Sequence, residues 1–389
     1  MTSVRSIPAR ASPLRATRLV TALAAITLLQ WLAASSTLPL LPVWLGDQGA
    51  SDLVIGLAMG AFFVGALAAQ YPLGRRSDRS APTRLLLAGV VGYALAGAAF
   101  LLPLHPGAVV GLRAVQGAAA GATEVLALAL VGRCVPAGQR ARGYGAVFAA
   151  QTAGLAIGPL LAGVAGVEHM NLLFAIAAGV GLAALGPWRL LPTTVPTPAP
   201  AEHRVARRRL EALRPVIAAA AVAGLVTGVY ESCWTLLLDQ HGASGWQIGL
   251  SWTMFCIPFI AASTLVSVIT NRVTPRRIAL TTLACSIALL ATYPLISSIP
   301  VIIALGAVEG AATALAYPAA QLLLAQGTPS GQLGRAQGTV ATVQTAATAG
   351  AAVAGGALFG ITAWLPFVVV AATCAGLLAA GFRPRASGR

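Results

Sequence analysis

The chain has 389 residues, of which 57% are hydrophobic and only 9% charged, and its mean hydropathy is +0.82. An ordinary soluble domain carries about 25% charged residues, and so few charges cannot cover the surface of a water-soluble protein this long, which excludes a soluble enzyme or a soluble nucleic-acid binder. The net charge of +15 does not reverse this conclusion: every basic residue is an arginine, and they stand in short clusters at the ends of apolar runs rather than on a basic face interleaved with aromatics.

A membrane-spanning helix needs about 20 apolar residues. Twelve stretches qualify, at 18–44, 52–73, 84–103, 107–132, 142–165, 169–191, 215–238, 246–270, 277–297, 300–326, 334–359 and 362–382. Arg5, Arg10, Arg15 and Arg18 before the first stretch resemble the start of a signal peptide. That stretch runs on past Pro39 without a clear cleavage site, so it reads as a first span behind a basic tail. After the sixth span, Pro192 to Arg214 holds Pro192, Pro196, Pro198 and Pro200 and then Arg204 and Arg207 to Arg209. Such a segment cannot pack as core. It divides the chain into a six-helix bundle at 1–191, a linker at 192–214 and a second six-helix bundle at 215–389.

Twenty-four of the 25 arginines fall in the N-terminus, the 2–3, 4–5, 8–9 and 10–11 connections, the central linker with its flanks, and the C-terminus. The alternate connections hold none. By the positive-inside rule both termini and the linker face the cytoplasm, giving a multi-pass protein of the cytoplasmic membrane. A missed or extra helix would scatter arginines to both sides, so the split also checks the span count.

Gly-Ala-Ser-Asp-Leu-Val-Ile-Gly-Leu at 49–57 returns as Gly-Ala-Ser-Gly-Trp-Gln-Ile-Gly-Leu at 242–250, 193 residues later. The same offset pairs Pro82 and Arg84 with Pro275 and Arg277, and Arg142 and Gly145 with Arg335 and Gly338. It also pairs Ala114 to Ala119 with Ala307 to Ala312. Chance likeness between Ala/Gly-rich helices could produce one such block but hardly several in one register. The expected fold is an all-α integral membrane protein of twelve transmembrane helices, built as two parallel six-helix repeats. Parallel repeats related by an axis along the membrane normal are one transporter plan, with the substrate site between them near the midplane.

Four ionisable residues lie inside spans: Arg113, Glu124, Glu231 and Glu309. Each costs at least about 2.5–3.5 kcal/mol at mid-bilayer, so each is expected to face a cavity or a partner. Arg113 and Glu124 share a helix face but lie about 16 Å apart along the axis, so each needs partners from elsewhere. Glu309 is the repeat-mate of Gln116 and sits at the same depth. Glu231 is flanked by Tyr230 and close to Trp234. Gln116, Tyr230, Trp234 and Tyr317 are candidate walls of a substrate cavity. Nothing in the chain has metal-ligand spacing: four of the cysteines lie in apolar runs, and the four histidines are scattered over loops and helix ends. No cofactor or metal is expected, and no Ser/His/Asp set or phosphate loop supports an enzyme.

Three stretches resemble signatures of the major facilitator superfamily. Gly74-Arg75-Arg76-Ser77-Asp78-Arg79 is similar to its loop signature G-x-x-x-D-R-x-G-R-R, departing where Ala81, Pro82 and Thr83 follow. Arg113-Ala114-Val115-Gln116-Gly117 resembles the R-x-x-Q-G of proton-coupled members. Gly145, Gly154, Gly158-Pro159 and Ala162-Gly163 resemble the exporter signature G-x8-G-x3-G-P-x2-G-G, with one Gly replaced by Ala. Together with Leu38 to Pro42, they are similar to the twelve-helix drug:proton antiporter branch. The resemblance implies a monomeric, proton-coupled exporter of small organic or amphipathic compounds, with protons, the substrate and the bilayer as its partners. It implies a gate at Gly74, Asp78 and Arg79 and a hinge at Gly145, Gly154, Gly158, Pro159 and Gly163; the embedded Arg113, Glu309, Glu231 and Glu124 are the residues expected to carry proton coupling. The first span departs from that branch, which often has an embedded acid there; here it has Gln30, Ser35, Ser36 and Thr37. A facilitator or importer of the same fold, or a membrane sensor that does not transport, are the alternatives.

The arginine split makes a direct prediction. A cysteine placed at Gly49 or Gly242 should react with an impermeant thiol reagent from outside the cell, and one at Pro198 should not; the reverse pattern would sink the orientation.

Overall fold

In hydrocarbon the backbone has no water to bond, and a helix satisfies its N–H and C=O groups within one segment. A computed structural model describes residues 13–77, 82–136, 139–192, 210–263, 272–327 and 333–383, and among these there is no strand. The first bundle contains α1 (Pro13–Ser35), α2 (Asp52–Ser77), α3 (Pro82–Ala99), α4 (Pro106–Cys134), α5 (Arg140–Ala165) and α6 (Met170–Ala183). The second contains α7 (Leu210–Val229), α8 (Gly245–Ser263), α9 (Pro275–Thr292), α10 (Ile299–Gly327), α11 (Leu333–Phe359) and α12 (Leu365–Gly381). Among the described residues, α1–α10 with their continuations are long and apolar enough to cross a membrane, while α12 is a shorter apolar helix of 17 residues. The 27-residue α11, rich in Gly, Ala and Thr, completes the set of twelve.

Two spans are less regular than their hydropathy suggests. The stretch expected as one helix at 18–44 stops at Ser35, passes through a turn and restarts as a short helix, Leu41–Asp47. Pro39 and Pro42 carry no N–H to continue the ladder, and Pro42 occupies the first turn of the new helix, where none is needed. After Val229, α7 widens into a π turn, Tyr230–Trp234, before continuing as Thr235–Gln240.

The duplication is carried into the coordinates. The bounds of α3 and α4, moved by 193 residues, are those of α9 and α10. Gly49 and Gly242 both adopt positive φ, 80° and 77°, where a Cβ would be strained. Each closes the same turn: Gly49 N–H bonds to Gly46 O and Ala50 N–H to Leu45 O, as Gly242 N–H bonds to Asp239 O and Ala243 N–H to Leu238 O. Gly117 of α4 lies against the carbonyl of Phe62 on α2, and its mate Gly310 of α10 against the carbonyl of Phe255 on α8.

The two bundles meet through a matched pair of crossings. On α2, Gly56 faces Gly356 of α11; on α8, Gly249 faces Gly163 of α5. These contacts are repeat-mates, since Gly249 follows Gly56 and Gly356 follows Gly163 by 193 residues. A Cβ on Gly56 would sit 2.8 Å from Gly356 Cα, and one on Gly249 would sit 2.9 Å from Gly163 Cα. Thr253 Oγ1 of α8 adds a hydrogen bond to Ala156 O of α5 at 3.1 Å. Both crossings lie toward the ends of the helices whose connections lack arginine. A continuous apolar cluster joins the bundles there, including Leu41, Leu45, Ile55 and Met59 from the first and Trp234, Leu237 and Leu238 from the second.

Gly56→Ala or Gly249→Ala should therefore lower the melting temperature of the purified protein, by the equivalent of about 1–3 kcal/mol for overpacking. Gly111→Ala on α4, where a Cβ would meet nothing within 4 Å, should leave it unchanged or slightly raised.

Candidate substrate and proton site

The site starts from a close approach of backbones. Because Gly117 has no side chain, α4 settles onto the Phe62 carbonyl of α2. That contact brings Arg113, one turn earlier on α4, over the Phe62 ring, with the guanidinium carbon 4.6 Å from the ring centroid. Arg113 is 3% exposed. Its Nη1–H donates to Gln116 Oε1 at 3.1 Å, a neighbour three residues along the same helix. Its Nε–H is buried with no hydrogen-bond partner. The R-x-x-Q-G stretch is thus a local unit in which Gly117 seats the helix, Gln116 holds one side of the fork, and one donor is left over.

In the second bundle Glu309 of α10 is 2% exposed and fully engaged. Tyr230 Oη lies 3.0 and 2.9 Å from its two oxygens, and Tyr293 Oη donates to Oε2 at 2.9 Å. The rings of Tyr230, Trp234 and Tyr293 pack edge to face, with centroids 4.8 to 6.3 Å apart. Trp234 Nε1–H donates to Ser251 Oγ of α8 at 2.9 Å. Glu309 therefore ties α10 to the π turn of α7 and to the end of α9, and Trp234 extends the tie to α8. Trp234 is buried in this packing, while Tyr230 is half-buried.

Glu231 stands apart from that network. Successive side chains on a helix diverge by roughly a quarter-turn, so while Tyr230 turns to Glu309, Glu231 points elsewhere. Its Oε2 is buried and accepts no hydrogen bond. The charged group that acts on it electrostatically is Arg113, in the opposite bundle. A cation of α4 and a carboxyl of α7 thus act on each other electrostatically, each with an unused hydrogen-bonding atom. A third such atom is Trp252 Nε1 of α8. Trp252 lies between the line that meets α7 and α10, through Ser251 and Phe255, and the line that meets α5, through Gly249 and Thr253.

Glu124, on the same face of α4 as Arg113, is exposed. The face that is buried at Arg113 is exposed eleven residues later, nearer the arginine-bearing end. The glycine crossings hold the bundles together at the opposite end.

The remaining expected residues fall as follows. Gly154 and Gly158 of α5 pack on Leu28 to Ser36 of α1, where Ser35 Oγ donates to Gly154 O at 2.8 Å. Gly163 packs on α8, Pro159 lies inside α5, and Gly145 has nothing within 4 Å of a built Cβ. The glycine signature thus serves two different partners, one in each bundle. Gly74 lies in α2, while Asp78 and Arg79 lie outside the described residues. Tyr317 lies in α10, and its side chain is outside the described set. Among the described residues no group of His, Cys, Asp and Glu is arranged to hold a metal. Sequence reasoning missed Tyr293, Phe62 and Trp252, and it missed Gly56 and Gly249 as crossing points although both stand in the repeated Ile-Gly-Leu. The recurrence of a glycine between two apolar residues in both copies was a usable signal; for Tyr293 there was none.

The model of the Major Facilitator Superfamily matches residues 23–237 and 216–388, and the chain belongs to that family. Its members are transporters, and this chain is a multi-pass membrane protein of that fold. Solved structures agree at low identity. A bacterial homolog of the human lysosomal transporter Spinster, in an inward-facing and unoccupied conformation, aligns with TM-score 0.74 and 13% identity over 95% of this chain and 97% of its own. A mutant form of the nucleoside transporter NupG aligns with TM-score 0.76 and 13% identity, over 94% and 100% of the two chains. A POT family transporter in complex with a thioalcohol-conjugated peptide gives 0.76 and 12%, over 93% and 94%. No curated protein matches the sequence.

Removing a phenol hydroxyl beside Glu309 leaves a buried carboxyl oxygen short of a partner. Tyr293→Phe should cost about 1–3 kcal/mol of stability, read as a lower melting temperature, and Tyr230→Phe should cost as much or more because its hydroxyl reaches both oxygens.

Proposed function

We propose that this protein is a proton-coupled secondary transporter that exports small organic or amphipathic compounds across the cytoplasmic membrane by alternating access. The observation that carries the reading is Glu231: a carboxyl with a buried, unused oxygen that faces Arg113 of the other bundle rather than a fixed partner of its own. Antiport needs a group that binds a proton when open to one side and gives it up when open to the other, and a carboxyl between two moving bodies can do this. Arg113 stays charged throughout and favours the ionised carboxyl whenever the two bodies bring it close. Glu309, held by two phenols within one bundle, braces α7, α9 and α10, and Glu124 lines the route toward the arginine-bearing end.

In this reading the bundles at 1–191 and 215–389 rock as two bodies about the glycine crossings, with 192–214 as a cytoplasmic linker and the protein acting as a monomer. The α5 glycines, Gly154, Gly158 and Gly163 with Pro159, form the hinge, and Gly145 marks its cytoplasmic end. Gly74, Asp78 and Arg79 form the opposing gate. With both termini in the cytoplasm, the glycine crossings lie at the outer ends of the helices and close that side. The α5 signature favours export over the alternative, a facilitator or importer. The solved relatives named for nucleosides and for peptides show how little the fold alone constrains the substrate.

The test is efflux of a panel of fluorescent organic compounds from a pump-deficient host, with and without an uncoupler. Glu231→Gln should abolish uphill, uncoupler-sensitive efflux while leaving some downhill exchange, and Glu309→Gln, where the protein remains folded, should keep uphill efflux. If Glu231→Gln still pumps uphill at the unmodified rate, Glu231 is not the carrier.

A further inference from the structure

We propose that the substrate is amphoteric: a small organic molecule carrying a carboxylate and a protonated amine, bound between Arg113 and Glu231. The proposal rests on the functional reading above, since it assigns the ligand of that same site. It is carried by two buried atoms that the protein itself leaves unused, a donor, Arg113 Nε–H, and an acceptor, Glu231 Oε2. Buried polar atoms in folded proteins are almost always paired, so an unpaired donor and an unpaired acceptor that act on each other electrostatically from opposite bundles describe what should lie between them. The missing complement is an acceptor and a donor, which a carboxylate and an ammonium supply.

The placement of charge supports the same match. Arg113 on α4 and Glu231 on α7 act on each other electrostatically but make no hydrogen bond to one another. A lone cation would satisfy Glu231 and leave Arg113 facing an added positive charge. A lone anion would do the reverse. A molecule with both groups satisfies both sides at once and bridges the two bundles. Gln116 holds the far side of the Arg113 fork at 3.1 Å, and Phe62 lies beneath it at 4.6 Å, so the guanidinium is fixed with its Nε edge free. Tyr230, Tyr293 and Glu309 are occupied with one another and are not available to the ligand. The proton and the ammonium would compete for one oxygen, so loading Glu231 with a proton releases that end of the substrate.

Three matched fluorescent probes test this: Nε-dansyl-L-lysine, which has a free carboxylate and amine; its methyl ester, which keeps only the amine; and its Nα-acetyl derivative, which keeps only the carboxylate. Binding is measured on the purified, full-length protein in lipid nanodiscs without a proton gradient, so the outcome does not depend on export or coupling. The zwitterion should bind about tenfold or more tightly than either blocked form. Arg113→Gln should remove the advantage of the zwitterion over the ester without weakening the ester's own binding. Glu231→Gln should remove its advantage over the acetyl derivative. If Arg113→Gln fails to fold, Arg113→Lys, which keeps the charge without the Nε donor, should reduce the same advantage. Equal binding of all three probes, equal weakening of all three by both substitutions, or no binding of the zwitterion would each overturn the proposal. Loss of uphill efflux in Glu231→Gln with unchanged probe selectivity would support the coupling role and refute the ligand assignment.

Discussion

Where Gly56 meets Gly356 and Gly163 meets Gly249, two helices from different bundles touch backbone to backbone. Lipid chains are as apolar as leucine, so there is no hydrophobic force to press membrane helices together; close packing has to supply the attraction, and glycine allows the closest approach. Because the two crossings are repeat-mates, they hold the bundles symmetrically about one axis. They also sit on one side of the membrane plane. The end of the helices away from the crossings is the one where Glu124 is exposed.

On this duplicated scaffold the chemistry is unequal. At equivalent depth the first bundle has Gln116 and the second Glu309; where the first has Arg113, the second has Gly306. At these positions the first bundle thus contributes a fixed cation and the second a carboxyl. A symmetric pair of cations or of anions would repel across the gap, and a neutral pair would have no charge to exchange. Divergence within the repeat is what makes the interface between the bundles polar in the electrical sense while the backbone remains matched.

The π turn at Tyr230–Trp234 sorts two carboxyls that would otherwise compete for the same partners. Such widened turns are rare and are often found at functional sites. Here Tyr230 turns back to Glu309, and Trp234 anchors the segment to Ser251. One carboxyl, Glu309, is hydrogen-bonded on both oxygens, and the other, Glu231, keeps a buried oxygen without a partner. Gly224 and Gly228, just before the turn, lie against Gln344 and Thr348 of α11, so the segment is braced by the same helix that takes part in one of the two crossings.

The sequence alone determined that the chain is a membrane protein of two parallel repeats, because hydropathy, arginine placement and a constant offset are properties of the chain in order. It also singled out Arg113, Glu231 and Glu309, since a charge in an apolar run is visible without coordinates. It could not say that Glu309 is saturated and Glu231 free. That depends on Tyr293, which comes from another helix and carries no pattern of its own, and on a π turn whose residues look like any other helix in composition. Nor could it separate the glycines that meet another backbone, such as Gly56 and Gly163, from Gly111 and Gly145, which meet nothing. Spacing places a residue on a helix face; which helix lies opposite that face is decided only when the twelve helices pack.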